Sequence, residues 1–226
     1  VIFIGGGALL WRAVRSAQAA GHRVDLVCIG PDEAAPEGVP VLRATDVNAE
    51  AAALVAACTD GVAWSINNPT ILRAPIVESG LRVHNIHNGP LPGYRGRPEI
   101  AIVRALLAGE TRYGATLHVV DLGIDTGDVL AVEEFEIGAD DTFQDVMMAG
   151  LRACHTVFER SLTAAALGTL TPLPASGDRP GYHGHRDLAG LAAQRDNPRY
   201  PRAAALGVFA PHYPELAAAL AVEARP

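Results

Sequence analysis

The sequence predicts an α/β protein built on one mostly parallel, twisted sheet with helices on both faces. Three observations predict it. Short apolar runs recur at 1–5, 23–29, 62–66 and 82–86. Stretches of helical length or periodicity separate them, and Gly, Pro or Asn punctuates the junctions. Ligands of such sheets sit beyond the carboxyl ends of the strands, so the loops after these runs are where chemistry is sought.

The elements follow in order. Val1 to Gly5 reads as a buried strand, and Ala8 to Ala20 as a helix stopped near Gly21. In the 23–29 run, Cys28 follows Val24, Leu26 and Val27, so it is read as a core thiol. A Pro-rich loop occupies 31–40, and Asn48 precedes a helical stretch from Ala49 to Cys58. The strand at 62–66 ends in the turn Asn67-Asn68-Pro69, and a short helix runs to about Ser79 before the strand at 82–86. Pro98 to Ala108 is a helix with Pro in its first turn and Gly109 at its end. Residues 115–121 and 128–136 read as two strands joined by a Gly-rich loop, and 141–167 as a helix capped by Asp141. The 171–202 segment is rich in Pro, Gly, Arg and His, and a last helix covers 214–223.

The formal charge of -7, from 25 acidic and 18 basic residues, argues against a polyanion partner, so no nucleic acid is expected. No run has the length of a membrane span, and the first residues lack the basic opening of a secretory signal. The chain starts at Val1 without an initiator Met, which suggests a trimmed end. Cys28, Cys58 and Cys154 are widely spaced and form no zinc or CxxC pattern, and a cytoplasmic setting fits by default.

Candidate chemistry is densest at His84-Asn85-Ile86-His87, where a strand enters a Gly- and Pro-rich loop. Asn85 and His87 are two apart, so an extended strand turns both toward one side. Asp125 sits in the second Gly-rich loop. Acyl transfer to an amine needs donors for the oxygen of a tetrahedral intermediate, a proton route and placement of two substrates. Asn85 and His87 can donate, and Asp125 can orient His87 and relay protons. Taken singly, each of the three is more ordinary as a satisfied loop residue. His118 is either a partner of this site or a core histidine. Arg95 and Arg97 are either solvent charges or a grip for an anion. His183 and His185 have no evident third ligand, so no metal is assigned.

Four stretches in this order and spacing carry a resemblance: Asn85-Ile86-His87; Gly89-Pro90-Leu91-Pro92 with Tyr94-Arg95-Gly96; Gly114 to His118; and Asp121 to Asp128. With a fainter strand-turn-helix at 62–79, the chain resembles the formyltransferases that use 10-formyltetrahydrofolate. The resemblance implies a Rossmann-like formyltransferase fold over 1–168, with Asn85, His87 and Asp125 catalytic. It implies a folate held mostly by backbone between Asn68, Thr70 and Leu72 on one side and Val119, Asp121, Gly123 and Ile124 on the other. It implies as acceptor a primary amine of a small molecule, an amino sugar or an amino-acid-derived precursor. The loop after His87 departs from the family's usual Ser-Leu-Leu-Pro and looks closer to the sugar and natural-product branches. The tRNA enzymes carry an additional C-terminal barrel that this chain cannot house. Residues 169–226 form an extension that the sequence leaves open as an edge of the acceptor site, a homodimer contact or a loosely packed tail.

Three rivals stand beside this reading: a nicotinamide-dependent oxidoreductase, a deformylase, and a non-enzymatic carrier or scaffold, against which the intact set of three catalytic positions argues. Gly5-Gly6-Gly7 after the first strand suggests a nicotinamide site, but its spacing is not G-x-G-x-x-G. A deformylase would use the same three groups with water as acceptor, and the family's deformylases usually add an N-terminal regulatory domain.

Overall fold

The computed structural model describes residues 1–177 and 180–221. Its main sheet has seven strands: β1 (Ile2–Gly5), β2 (Leu26–Ile29), β3 (Val41–Arg43), β4 (Val62–Ile66), β5 (Arg82–His87), β7 (Arg112–Val119) and β8 (Val129–Glu136). Their order is β3-β2-β1-β4-β5-β7-β8, and the pairs from β3 through β5 are parallel. Parallel neighbours require crossovers. These are α1 (Gly7–Ala19), the segment holding α2 (Ala51–Ala57), and α3 (Ala74–Val77). β1 and β4 are buried at every position, as a parallel strand covered on both faces must be. A two-residue β6 (Arg95–Gly96) pairs in parallel with β9 (Tyr182–His183).

The remaining helices are α4 (Pro98–Ala108), α5 (Phe143–Ala166), α6 (Tyr200–Ala204) and α7 (Pro214–Ala221). α4 carries Pro in its first turn and ends at Gly109 with φ 82°, as its sequence predicts. The expected cap of α5 is corrected. Asp141 accepts from Gly138 N at 2.7 Å. Thr142 makes the reciprocal box with Asp145: Thr142 N donates to the Asp145 carboxylate at 3.0 Å, and Asp145 N donates to Thr142 Oγ1 at 3.4 Å. The second strand begins at Leu26 rather than at 23, because Asp25 is drawn aside. Its carboxylate accepts from the backbone N–H and the hydroxyl of Thr59, at 3.0 and 2.8 Å. β3 lies just past the predicted loop, and three residues carry no periodicity to read. Of the last predicted helix, positions 222 and 223 lie outside the described residues.

The chain forms two compact units interleaved in sequence. The first holds Val1–Ile86, Leu117–Ala131 and His155–Ala175. Its core includes Ile2, Ile4, Val47, Leu54, Leu72, Ile76 and Val83. Trp64 lies edge-on to Phe158 at 4.9 Å. The second holds His87–Thr116, Val132–Cys154 and the residues from Ser176 onward. There α4 buries Ile100, Ile102, Val103 and Leu106 against Phe143 and Met147 of α5, Tyr200 and Ala203 of α6, and Leu216 and Leu220 of α7. Each buried Leu, Ile or Phe contributes about 1.5–3 kcal/mol. The extension after 184 thus supplies part of a core. Asn197 Nδ2 also donates to the Leu107 carbonyl at the last turn of α4, at 3.0 Å.

Candidate active site

Asn85 stands in the last pair of β4 with β5, opposite Ser65. Its side-chain amide lies 3.0 Å from His118 Nε2. His118 is buried on β7, and its Nδ1 lies 2.8 Å from the Val119 carbonyl. A carbonyl only accepts, so Nδ1 carries the proton. Nε2 of the neutral ring then offers a lone pair to an Asn85 N–H. Asp125 closes the set, with Oδ1 3.5 Å from the same Nε2. Asn85, His118 and Asp125 therefore form one cluster within the first unit. His118 is thus both a buried strand residue and the partner of two predicted site residues.

Asp125 has φ 53°, the left-handed region that Asp tolerates better than most residues. Its loop is drawn tight by Asp121, whose Oδ1 accepts from Gly123 N at 3.0 Å and Thr126 Oγ1 at 2.7 Å. Gly127 is required there, since a Cβ would sit 2.0 Å from the Val119 carbonyl oxygen.

His87 lies in the second unit. Its Nε2 donates to the Tyr94 carbonyl at 2.6 Å, and the side chain is buried. The loop between them curls around Thr116, whose hydroxyl donates to the Gly89 carbonyl at 2.8 Å and accepts from Leu91 N at 3.2 Å. Gly89 allows the closure, because a Cβ there would lie 2.6 Å from His87 Nε2 and 2.8 Å from the Tyr94 oxygen. Thr116 had no signal in sequence beyond its place in an alternating run.

The residues expected around a folate divide by chemistry. Asn68 spends its amide on Thr70, donating to its carbonyl at 2.9 Å and accepting from its N–H at 3.0 Å. The side chain of Leu72 is part of the core, so only its backbone is left to offer a ligand. Buried Asn48 holds this segment at both ends, donating to the Ile71 carbonyl at 3.1 Å and accepting from Arg73 N at 2.7 Å. Sequence reading missed that role. Val119, Leu122 and Ile124 in one loop and Ile71 in the other are exposed apolar side chains, Leu122 by 61%. Exposed apolar groups on loops beside a polar cluster suit a flat heteroaromatic ligand.

Other candidates resolve differently. Arg97 is engaged by Glu99 at 2.6 Å and Glu215 at 3.3 Å. Arg95 Nε donates to the Gly181 carbonyl at 3.2 Å. His183 stacks on Tyr94, and His185 Nδ1 lies 3.4 Å from Glu215. At the N-terminus of α1, Glu33 accepts from Gly7 N at 2.9 Å and from Trp11 Nε1 at 3.3 Å. A carboxylate of the protein already holds the place where a dinucleotide phosphate would bind. The nicotinamide reading loses its anchor.

Comparison with known proteins points to one family. The family model described as Formyl transferase matches residues 69–162, which span Asn85, His87, His118 and Asp125. A methionyl-tRNA formyltransferase of Clavibacter michiganensis is 31% identical over 177 residues, covering 71% of this chain and 57% of that protein. Across three such relatives the matched part spans 57%, 36% and 44% of their length. Among solved structures, a 4-N formyltransferase from Francisella tularensis superposes with a TM-score of 0.73 at 19% identity, covering 89% of this chain and 86% of that one. An N-formyltransferase from Helicobacter canadensis, in complex with folinic acid and dTDP-3-aminofucose, gives 0.66 at 16% identity, covering 83% and 72%. At such identities the structural likeness speaks for the fold.

Proposed function

The chain belongs to the formyltransferase family through residues 69–162, and from that premise we propose that it moves a formyl group from 10-formyltetrahydrofolate to a primary amine of a small molecule. The observation that carries the reading is the cluster in which Asn85 bonds His118 Nε2 and Asp125 lies 3.5 Å from the same nitrogen. The folate supplies the formyl carbon. Its ring would lie on the apolar side chains of the 71 and 119–124 loops and meet mostly backbone groups.

Asn85 has two amide N–H bonds. One goes to His118, and the other donates to the formyl oxygen as the amine attacks and that oxygen becomes negative. His118 fixes the amide's orientation. His87, whose Nε2–H is held by the Tyr94 carbonyl, is the other residue to which the resemblance assigns a catalytic role. The attacking amine must lose a proton. The Asp125 carboxylate, 3.5 Å from His118 Nε2, is the acceptor for that proton, which then passes on to the leaving nitrogen. No protein nucleophile is needed.

Neighbours of known structure include one bound to an amino sugar nucleotide and folinic acid, which supports a small amine and a folate. The sequence relatives favour a second reading, methionyl-tRNA as acceptor. The net charge of -7 weighs against it. Incubation with 10-formyltetrahydrofolate and a panel of nucleotide-linked amino sugars, ornithine derivatives, amino acids and methionyl-tRNA separates them, read as a mass gain of one formyl group. Formate release without any amine product would instead mark a deformylase. Asn85→Ala, His87→Ala and Asp125→Ala are each expected to lower kcat about a hundredfold, the effect of roughly 3 kcal/mol of lost transition-state stabilisation. Three single variants that turn over like the parent would remove the mechanism.

A further inference from the structure

Three groups stand outside the site described. The first is a cavity of about 720 Å³ in the second unit, lined by mixed charges including Arg104, Arg112, Glu110 and Glu134. The second is the buried imidazoles of the first unit. The third is the short strand after residue 180, and it carries an inference.

Gly181–His183 runs alongside the loop that holds His87 and is tied to it at each step. Gly181 N donates to the Pro92 carbonyl at 3.0 Å, Arg95 N to the Gly181 carbonyl at 3.2 Å, and Arg97 N to the His183 carbonyl at 2.8 Å. β6 and β9 pair in parallel register, Arg95 with Tyr182 and Gly96 with His183. The approach is close enough that a Cβ on Gly181 would lie 2.1 Å from the Gly93 oxygen. The His183 ring stacks on Tyr94, with centroids 5.3 Å apart and planes 24° from parallel. Tyr113 meets the same ring edge-on at 5.5 Å, and the Tyr94 hydroxyl donates to Glu110 at 2.8 Å. Tyr94 is therefore held through its ring, and its backbone oxygen is the acceptor of the His87 Nε2 proton.

We propose that His183 is a positioning residue for His87, acting through Tyr94: its ring fixes the tyrosine whose carbonyl orients the imidazole. This rests on the formyl-transfer reading for its consequence in catalysis, but the geometry it claims does not. A buried imidazole N–H held at 2.6 Å exchanges slowly with water and resonates far downfield.

The test follows that proton by NMR in ligand-free full-length protein, for the parent, His183→Phe and His183→Gln. Phe keeps a ring on Tyr94, whereas Gln keeps a polar side chain without one. The His87 signal is expected to persist in His183→Phe and to be lost or shifted upfield in His183→Gln. In the amine assay kcat is expected to fall about tenfold in His183→Gln, with KM for the folate within about twofold of the parent, because misorientation of a reacting group acts on the chemical step. An unchanged His87 signal in His183→Gln would overturn the proposal, as would its loss in a folded His183→Phe. Should the parent transfer formyl to no amine, the function assigned above fails, while the NMR comparison still judges the contact of His183 with Tyr94.

Discussion

His84 and Asn85 are neighbours on β5 with opposite chemical situations. Asn85 meets His118, whereas His84 is buried against Trp64, with ring centroids 5.2 Å apart and no partner for its Nδ1. Burial pushes the His84 pKa down to about 4, helped by the Arg82 charge and by His118. Above the unfolded value of 6.5 both states are neutral, and the residue adds nothing pH-dependent. Between 6.5 and 4 the unfolded chain takes up a proton that the folded chain refuses, so stability falls as pH falls. The full loss is about 3 kcal/mol. Burial lowers His155 as well, so it acts in the same direction. Urea unfolding of the parent from pH 7 to 4 should show this decline, and His84→Phe should flatten part of it; matching pH slopes would exclude the assignment. At this scale the candidate site was partly legible. Asn85, His87 and Asp125 were picked out as a set, since each alone reads as an ordinary loop residue, and the structure brings Asn85 and Asp125 to one imidazole. Thr116 and Asn48 did not, since a hydroxyl or amide in an apolar run looks the same whether it solvates itself or fastens a distant loop.

Elements were legible wherever their signals are local. α4 reads directly from Pro98 and Gly109 because both residues act through their own φ angles. α5 shows a local signal misread. Asp141 and Thr142 both precede the apolar stripe, and only Thr142 has an acidic residue three positions on. Thr142→Ala should cost about 1 kcal/mol, the usual effect of losing a cap, and Asp141→Ala should cost less. Denaturant midpoints of the two variants check the order, and a larger loss for Asp141→Ala would reverse the assignment. β6 and β9 could not be read at all. Two residues have no period, and each is a strand only because the other lies beside it.

Over the whole molecule, burial sets a hierarchy of local stability. β1 and β4 are buried along their full length and flanked by strands on both sides, whereas β3 is a half-exposed edge of three residues. Backbone amides open to solvent according to the surface that must be exposed. Hydrogen exchange should therefore be slowest in Ile2–Gly5 and Val62–Ile66 and fast in Val41–Arg43. Comparable rates in the central and edge strands would contradict the burial pattern. No helix among the described residues is long and apolar enough to cross a membrane.

By itself the sequence determined the α/β alternation, the polar strand ends and the loops rich in glycine, because periodicity and backbone freedom act over a few neighbouring residues. Tertiary structure alone decided which groups meet. Asn85 finds His118 33 positions away, and Tyr94 finds His183 in β9. A hydrogen bond or a ring contact requires two groups within a few ångströms, and for residues so far apart in the chain only the folded backbone brings them there.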